Sequence, residues 1–335
     1  MIVWADRWQA DGCVDVCMTK FAEVDITTLK VSDANTTLFA LPESVKRAAA
    51  FSGIQSMCEK WLVDQFGDVY VVITRSELLQ SFCALSFPAV LMWVALDGLK
   101  VHSENDVAVL LAHWHNGEEG QRCSDDEVLR LGQLLRVGNL TSMFRRFMLP
   151  ELAWFKWPVD QIYLFAAIWE NEGTSVVAAG RPGFIFPAVW YAAARRGVLP
   201  PGASDRSIMT VRAPEAELER MLQDSAAGKY CNEYGCTFYW HGYYWSPQLC
   251  LQLSRGIFGA FFQCVSRGPI PAAACVKFTS KINGRSLGGF MNGQSYLGQP
   301  NLFPGIASPI TSKAQLQSYV TNGCLEVRFE LSDVN

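Results

Sequence analysis

The hydrophobic period changes part-way along the chain, and that change limits the fold more than any single motif. Up to about Glu172 the apolar residues recur three and four apart, as on one face of a helix. Beyond Lys229 they alternate, as in strands with one buried face. A chain of 335 residues with two periods reads as an α+β protein of two domains. The first is expected to be an all-α bundle and the second an antiparallel β-sandwich. Charge divides the same way: residues 1–172 hold 23 acidic and 14 basic side chains, while the remainder has a net charge of +5. Half of all residues are hydrophobic and 18% are charged, which supplies real cores and excludes wholesale disorder. The overall charge of −4 argues against a protein that coats nucleic acid. The longest apolar run, Ala84 to Leu96, contains Ser86 and Pro88 and is too short to span a bilayer. Eleven scattered cysteines, with Asp6, Arg7 and Asp11 breaking any secretory pattern, point to reduced thiols in the cytoplasm or nucleus.

Helix signals follow one another through the first half. Asp11 can cap a helix carrying Val14, Cys17, Met18 and Phe21 on one side, and Ser32 can start a short one that ends before Pro42. Val45, Ala49, Met57, Trp61 and Leu62 mark a longer helix running to Phe66. Three pairs have capping-box spacing: Thr74 with Glu77, Ser103 with Asp106, and Ser124 with Glu127. The last two precede the apolar stripes Val107-Leu110-Leu111-Trp114 and Val128-Leu131-Leu134-Leu135. Seven or eight short helices are expected, without a hairpin among them.

Gly and Pro punctuate residues 173–207, which read as a connector. Within a linking region at 171–228, Pro214 suits the start of a helix near 214–226, with Leu218, Met221 and Leu222 on one face. Alternating strands follow in 229–335. They are Leu249-Leu251-Leu253, Ile257 to Val265, Val276-Phe278-Ser280-Ile282, and Leu325-Val327-Phe329-Leu331.

Candidate chemistry fails on spacing. His113 and His115 flank Trp114, and residues two apart on a helix cannot share a metal. Cys13 and Cys17 share a helical face but lack two further ligands, and Cys231 with Cys236 does no better. Gly284-Arg285-Ser286-Leu287-Gly288-Gly289 lacks the Gly-Lys-Ser/Thr of a phosphate loop, so a turn between strands is expected. No Gly-x-Ser-x-Gly elbow occurs. Asp125, Asp126 and Glu127 sit where a helix dipole favours negative charge. The expectation is no enzyme, no metal and no cofactor. Phe238-Tyr239-Trp240-His241-Gly242-Tyr243-Tyr244-Trp245 crowds seven rings into eight positions. As one strand they cannot all face inward. Either Phe184, Phe186 and Trp190 cover them, or Tyr239, Tyr243 and Trp245 form a recognition surface for a target protein.

The helical half resembles a known family. Leu96-Asp97-Gly98-Leu99-Lys100-Val101-His102-Ser103-Glu104-Asn105-Asp106-Val107, followed by Trp114, is similar to the central signature of the BACK domain. BACK is the helical module that follows BTB/POZ domains. Phe66-Gly67-Asp68-Val69 resembles the end of its first helical pair. Leu131 to Thr141, including Arg136, is similar to the Leu-Leu-x-x-Ile-Arg-Phe-Pro segment of plant and green-algal members; Gly138 replaces the usual proline, which implies a looser turn. Ala5-Asp6-Arg7-Trp8 with Cys13 and Cys17 resembles the end of a BTB domain. Tyr319 to Phe329, with Asn322-Gly323 as a small turn, is similar to the closing strand of a TRAF/MATH domain.

This resemblance implies remnant BTB helices at 1–31, a BACK bundle at 32–170 and a TRAF/MATH-like sandwich at 229–335. It further implies a substrate-recognition adaptor of a cullin-3 ubiquitin ligase. The cullin side would be Leu38, Phe39, Val45, Met57 and Trp61. The target side would be Tyr239, Tyr243 and Trp245. Leu96, Asp97, Leu99, Val101, Ser103, Glu104, Val107, Trp114 and Arg136 would be structural. Because the chain starts near the last BTB helices, a monomer that binds cullin weakly is expected. The alternative is a stand-alone scaffold or a competitor that lacks the cullin-binding core. Neither nucleic acid nor membrane is an expected partner.

Overall fold

The computed structural model describes residues 11–46, 51–172, 186–191, 196–198, 208–226, 231–234, 236–252, 257–271, 277–282, 285–286, 301–308, 314 and 317–332. The chain mixes helix and strand, with small antiparallel sheets. It divides into two compact units. Unit 1 comprises Met1–Leu140 and Leu152–Leu199; unit 2 comprises Thr141–Glu151 and Pro200–Asn335. Among the described residues no single helix is long and apolar enough to cross a membrane.

Unit 1 is built on short helices: α1 (Asp11–Ala22), α2 (Val31–Thr37), α3 (Glu43–Lys46), α4 (Phe51–Phe66), α5 (Val69–Thr74), α6 (Ser76–Cys83), α7 (Phe87–Ala95), α8 (Glu104–His115), α9 (Glu118–Gln121), α10 (Asp125–Leu134) and α11 (Val159–Glu172). Their ends follow local chemistry. Ser124 and Glu127 form the expected box: the Glu127 carboxylate accepts from Ser124 N at 2.9 Å, and Ser124 Oγ accepts from Glu127 N at 3.3 Å. Ahead of α8, Asp106 Oδ2 accepts from His102 N at 2.9 Å and Ser103 N at 3.4 Å.

Two helix starts differ from expectation. Thr74 and Glu77 make no box, because Thr74 is the last residue of α5 and its hydroxyl donates back to the Tyr70 carbonyl. The N-cap of α6 is Arg75, without a side-chain bond, while α5 before it is capped by Asp68, which accepts from Val71 N. Ser32 lies one residue inside α2, whose N-cap is Lys30.

Rings link these helices through the interior. Phe39, Trp61, Phe66, Phe82 and Trp93 follow one another with centroid separations of 6.0, 6.0, 5.5 and 4.8 Å. Four tryptophans each also donate their N–H to a backbone carbonyl: Trp93 to Phe66, Trp114 to Leu85, Trp154 to Ala108 and Trp190 to Gly132. Each indole thus fills space and pairs its buried N–H. Phe186 and Trp190 pack on Phe165, within unit 1. Phe184 lies outside the described residues.

The turn at Gly138 is tight rather than loose. Val137–Asn139 is a 3₁₀ turn, and a Cβ at Gly138 would come within 2.7 Å of the Trp190 carbonyl oxygen and of the Trp169 ring. Proline is excluded there for the same reason. Gly138→Ala should destabilise unit 1 by about 1–3 kcal/mol, because the Trp190 backbone and the Trp169 indole would have to move. Urea unfolding followed by tryptophan fluorescence measures this, and a loss within error would contradict the packing.

In unit 1 a short parallel pair, β1 (Lys100–Val101) and β2 (Gly197–Val198), joins distant parts of the sequence. Unit 2 holds β3 (Ile208–Pro214), α12 (Glu215–Ala226), β4 (Cys231–Tyr234), β5 (Phe238–Trp240), β6 (Tyr243–Gln252), β7 (Ile257–Val265), β8 (Lys277–Ile282), β9 (Arg285–Ser286), β10 (Asn301–Ser308) and β11 (Cys324–Ser332). One sheet runs β10-β7-β6-β4, with β5 also paired to β6; the other runs β3-β11-β8-β9. Pro214 ends β3 rather than starting the helix, and Leu218, Met221 and Leu222 of α12 are buried as their spacing requires.

The last strand has the expected register. Leu325, Val327 and Phe329 are buried, and Arg328 and Glu330 are exposed. Ala213 and Val211 on β3 sit opposite Leu325 and Val327, and both are buried too. Before it, Thr321 and Cys324 exchange both backbone hydrogen bonds around Asn322 and Gly323, at φ 53 and 71°. Positive φ at both central positions is the type I′ turn that Asn-Gly favours. Leu253 and Val276 of the alternating runs lie outside the described residues.

Segment Thr141–Glu151 belongs to unit 2 although it falls inside the span read as a continuous helical domain. The Phe144 ring meets Tyr243 edge-on at 5.7 Å, a contact between residues about a hundred positions apart that no local pattern announces.

Candidate functional site

The segment that carries the BACK resemblance folds into an interior polar hub. Ser103 and Asp106 start α8, and this places Glu104 at the first helical position with its side chain turned inward. The β1–β2 pairing brings Arg196, just before β2, to the same point. Arg196 Nε lies 3.0 Å from Glu104 Oε2, and both side chains are essentially inaccessible to solvent. The guanidinium also donates to the Val94 carbonyl at 2.6 Å and to the Leu96 carbonyl. Glu104 Oε1 accepts in addition from Arg136 N at 3.1 Å. The Arg136 side chain reaches out to Asp97, whose carboxylate is exposed.

The expected structural set therefore divides by depth. Leu99, Val101, Glu104, Val107, Trp114 and Arg136 are buried, Leu96 and Ser103 half-buried and Asp97 exposed. A buried guanidinium needs a carboxylate and hydrogen-bond partners, and here each of its three nitrogens has one. Arg196 was missed in the sequence. Its only signal was the Arg195-Arg196 pair standing in an otherwise apolar stretch.

The cullin-side residues do not form one surface. Leu38, Phe39, Val45 and Trp61 are buried and Met57 is half-buried, because the ring chain through Phe39 and Trp61 holds unit 1 together. Two grooves of about 430 Å³ each nevertheless flank α4, and the set divides between them. Leu38 and Phe39 line the first, together with Phe51, Leu91, Met92 and Leu134. Its rim carries Lys46, Glu59 and Arg130, with Gln55 donating to Glu59 at 2.8 Å. Met57 and Trp61 line the second, and Val45 borders neither.

The target-side residues are corrected outright. Tyr239, Tyr243 and Trp245 are buried. The ring-rich octad is not one strand but a hairpin, β5 to β6, turning at His241 and Gly242 with φ 52 and 88°. Folding back lets both faces find cover: Tyr239 meets Tyr244 at 5.1 Å, Phe144 covers Tyr243, and Arg267 lies over Tyr244 at 5.1 Å. Burial pushes the Tyr244 hydroxyl up to about 12. The overlooked signal was His-Gly between two runs of three rings, which is a turn and not a strand interior.

Among the described residues no three His, Cys, Asp or Glu side chains lie together as a metal site would require. Burial raises the Cys83 and Cys123 thiols to about 11, and Cys58 to about 12, so they are poor nucleophiles near neutrality. Burial, with Lys156 nearby, lowers the His115 pKa. Compared with known proteins, the chain matches no family model and no curated sequence.

Proposed function

We propose that this chain is a substrate-recognition adaptor of a cullin-3 ubiquitin ligase, working by contact rather than by chemistry. The observation that carries the reading is the hub around Glu104. Leu96, Glu104 and Arg136, three of the residues that resemble the BACK signature, meet Arg196 in one network that joins the end of α7, the start of α8 and the stretch after α10. On this reading unit 1 is a BACK-type bundle that holds the cullin through the first groove. Unit 2 is a TRAF/MATH-like sandwich of its two sheets, which holds the target. An adaptor of this kind raises the effective concentration of a target lysine near the charged conjugating enzyme. The second reading is a stand-alone scaffold or competitor, which would bind targets in the cytoplasm or nucleus without a cullin.

Calorimetry of the 335-residue chain with a purified cullin-3 N-terminal region tests the proposal. A saturable heat with a Kd in the micromolar range is expected, and Ala95→Glu, an exposed groove position, should weaken it by about tenfold, or 1.4 kcal/mol. Silence up to about 100 µM, where even a modest interface registers, would favour the scaffold instead.

A further inference from the structure

The first groove is an open trough with two helical walls. Phe51, Gln55 and Glu59 recur four apart along α4, and Pro88, Leu91 and Ala95 recur three and four apart along α7, which packs beside it. At 1.5 Å per residue these stripes are about 10–12 Å long. The buried Leu38 and Phe39 lie at the floor. Its volume of about 430 Å³ falls in the range of small-ligand sites, which are mostly apolar with a few placed polar groups. An elongated apolar trough of this length suits a straight hydrocarbon chain better than a flat ring.

One end of the trough carries an uncompensated cation. The Arg130 guanidinium lines the groove and lies over the Phe87 ring, 5.5 Å from its centroid, where α7 begins. It is solvent-exposed and forms no ion pair among the described residues. Asp126 and Glu127, one turn earlier on α10, do not pair with it, and Glu127 is held by Ser124. Glu59 is the single carboxylate in the lining, and it accepts from Gln55 on its own helix at 2.8 Å. The ring face steadies the guanidinium and leaves its N–H fork, which matches a carboxylate with two parallel hydrogen bonds.

We infer that the first groove binds a straight-chain fatty acid, with its carboxylate on Arg130 and its chain laid along α7 over Leu91 and Met92 toward Ala95. A chain of about ten carbons spans walls of this length. The two ends do different work. The apolar walls supply affinity that grows with chain length, at most about fourfold for each methylene fully taken out of water. The guanidinium supplies the choice of head group, since it rewards a carboxylate, is indifferent to an alcohol and repels an ammonium. This inference does not depend on the ligase reading, and its test contains no cullin.

Calorimetric titration of decanoate into the whole 335-residue chain is the experiment. Saturable binding with a Kd below about 100 µM is expected. Octanoate should bind about threefold more weakly or worse, because it buries fewer methylenes. Decanol, which lacks the charge, should lose about tenfold. Arg130→Glu should weaken decanoate by about tenfold or more, Arg130→Lys by less, and Ala95→Trp should abolish binding by filling the trough. Both positions are exposed, so the variants should keep the parent melting profile. Equal binding of decanol, or an unchanged Kd in Arg130→Glu, would reduce the groove to an unselective apolar surface and overturn the inference. So would an unchanged Kd in Ala95→Trp, the absence of saturation, or saturation by an acidic amphipathic peptide where decanoate fails.

Discussion

Glu104→Gln should unfold unit 1 far more readily than its conservative shape suggests. The change leaves the Arg196 guanidinium inside the protein without the carboxylate 3.0 Å away. Removing one partner of a buried pair costs about 3–5 kcal/mol, because the remaining charge stays desolvated. Arg196→Met should cost a similar amount, stranding Glu104 and releasing the Val94 and Leu96 carbonyls from their donor. The double variant should lose less than the two singles together, since neither charge is then left alone; a coupling of about 1 kcal/mol or more is expected. Arg196→Lys should fall between, as an ammonium cannot present the planar fork that reaches a carboxylate and two carbonyls at once. Urea titration of the four variants decides this. A loss below about 1 kcal/mol for Glu104→Gln would mean that the hub is solvated and does not organise the bundle.

Val327→Asp should be the most damaging single change in unit 2. Val327 lies mid-strand in β11, between Val211 on β3 and Ile282 on β8, and is fully buried. A carboxylate there has neither water nor a cation, and the penalty should be about 3 kcal/mol or more. Its neighbour makes the control. Glu326 points the other way and pairs with Arg212 at 2.7 Å, but both side chains are substantially exposed. Such a surface pair is worth little, so Glu326→Gln should stay within about 0.5 kcal/mol of the parent. Thermal melts that show the two variants equally mild would contradict the register of the last strand.

What the sequence determined by itself is what a residue decides together with neighbours a few positions away. The alternation in Leu325 to Phe329 set that strand's buried face. The apolar run Ile257 to Val265 coincides with β7. Ser124 with Glu127 specified a helix start, and Asn322-Gly323 a turn. Each follows from backbone geometry, which repeats every two residues in a strand and every 3.6 in a helix. Even locally the pattern could mislead: Thr74 and Glu77 have the box spacing, yet the threonine hydroxyl found a carbonyl in the preceding turn. Tertiary structure alone decided which distant group meets which. Glu104 and Arg196 are 92 positions apart, and nothing near either one names the other. The aromatic octad carries the same rings whether it runs straight or folds back, and only the packing of Phe144 and Arg267 shows that its two faces are covered. The two grooves beside α4 arise in the same way. A helix has one sequence but several sides, and the elements that settle against each side decide which of its residues become core and which line an opening.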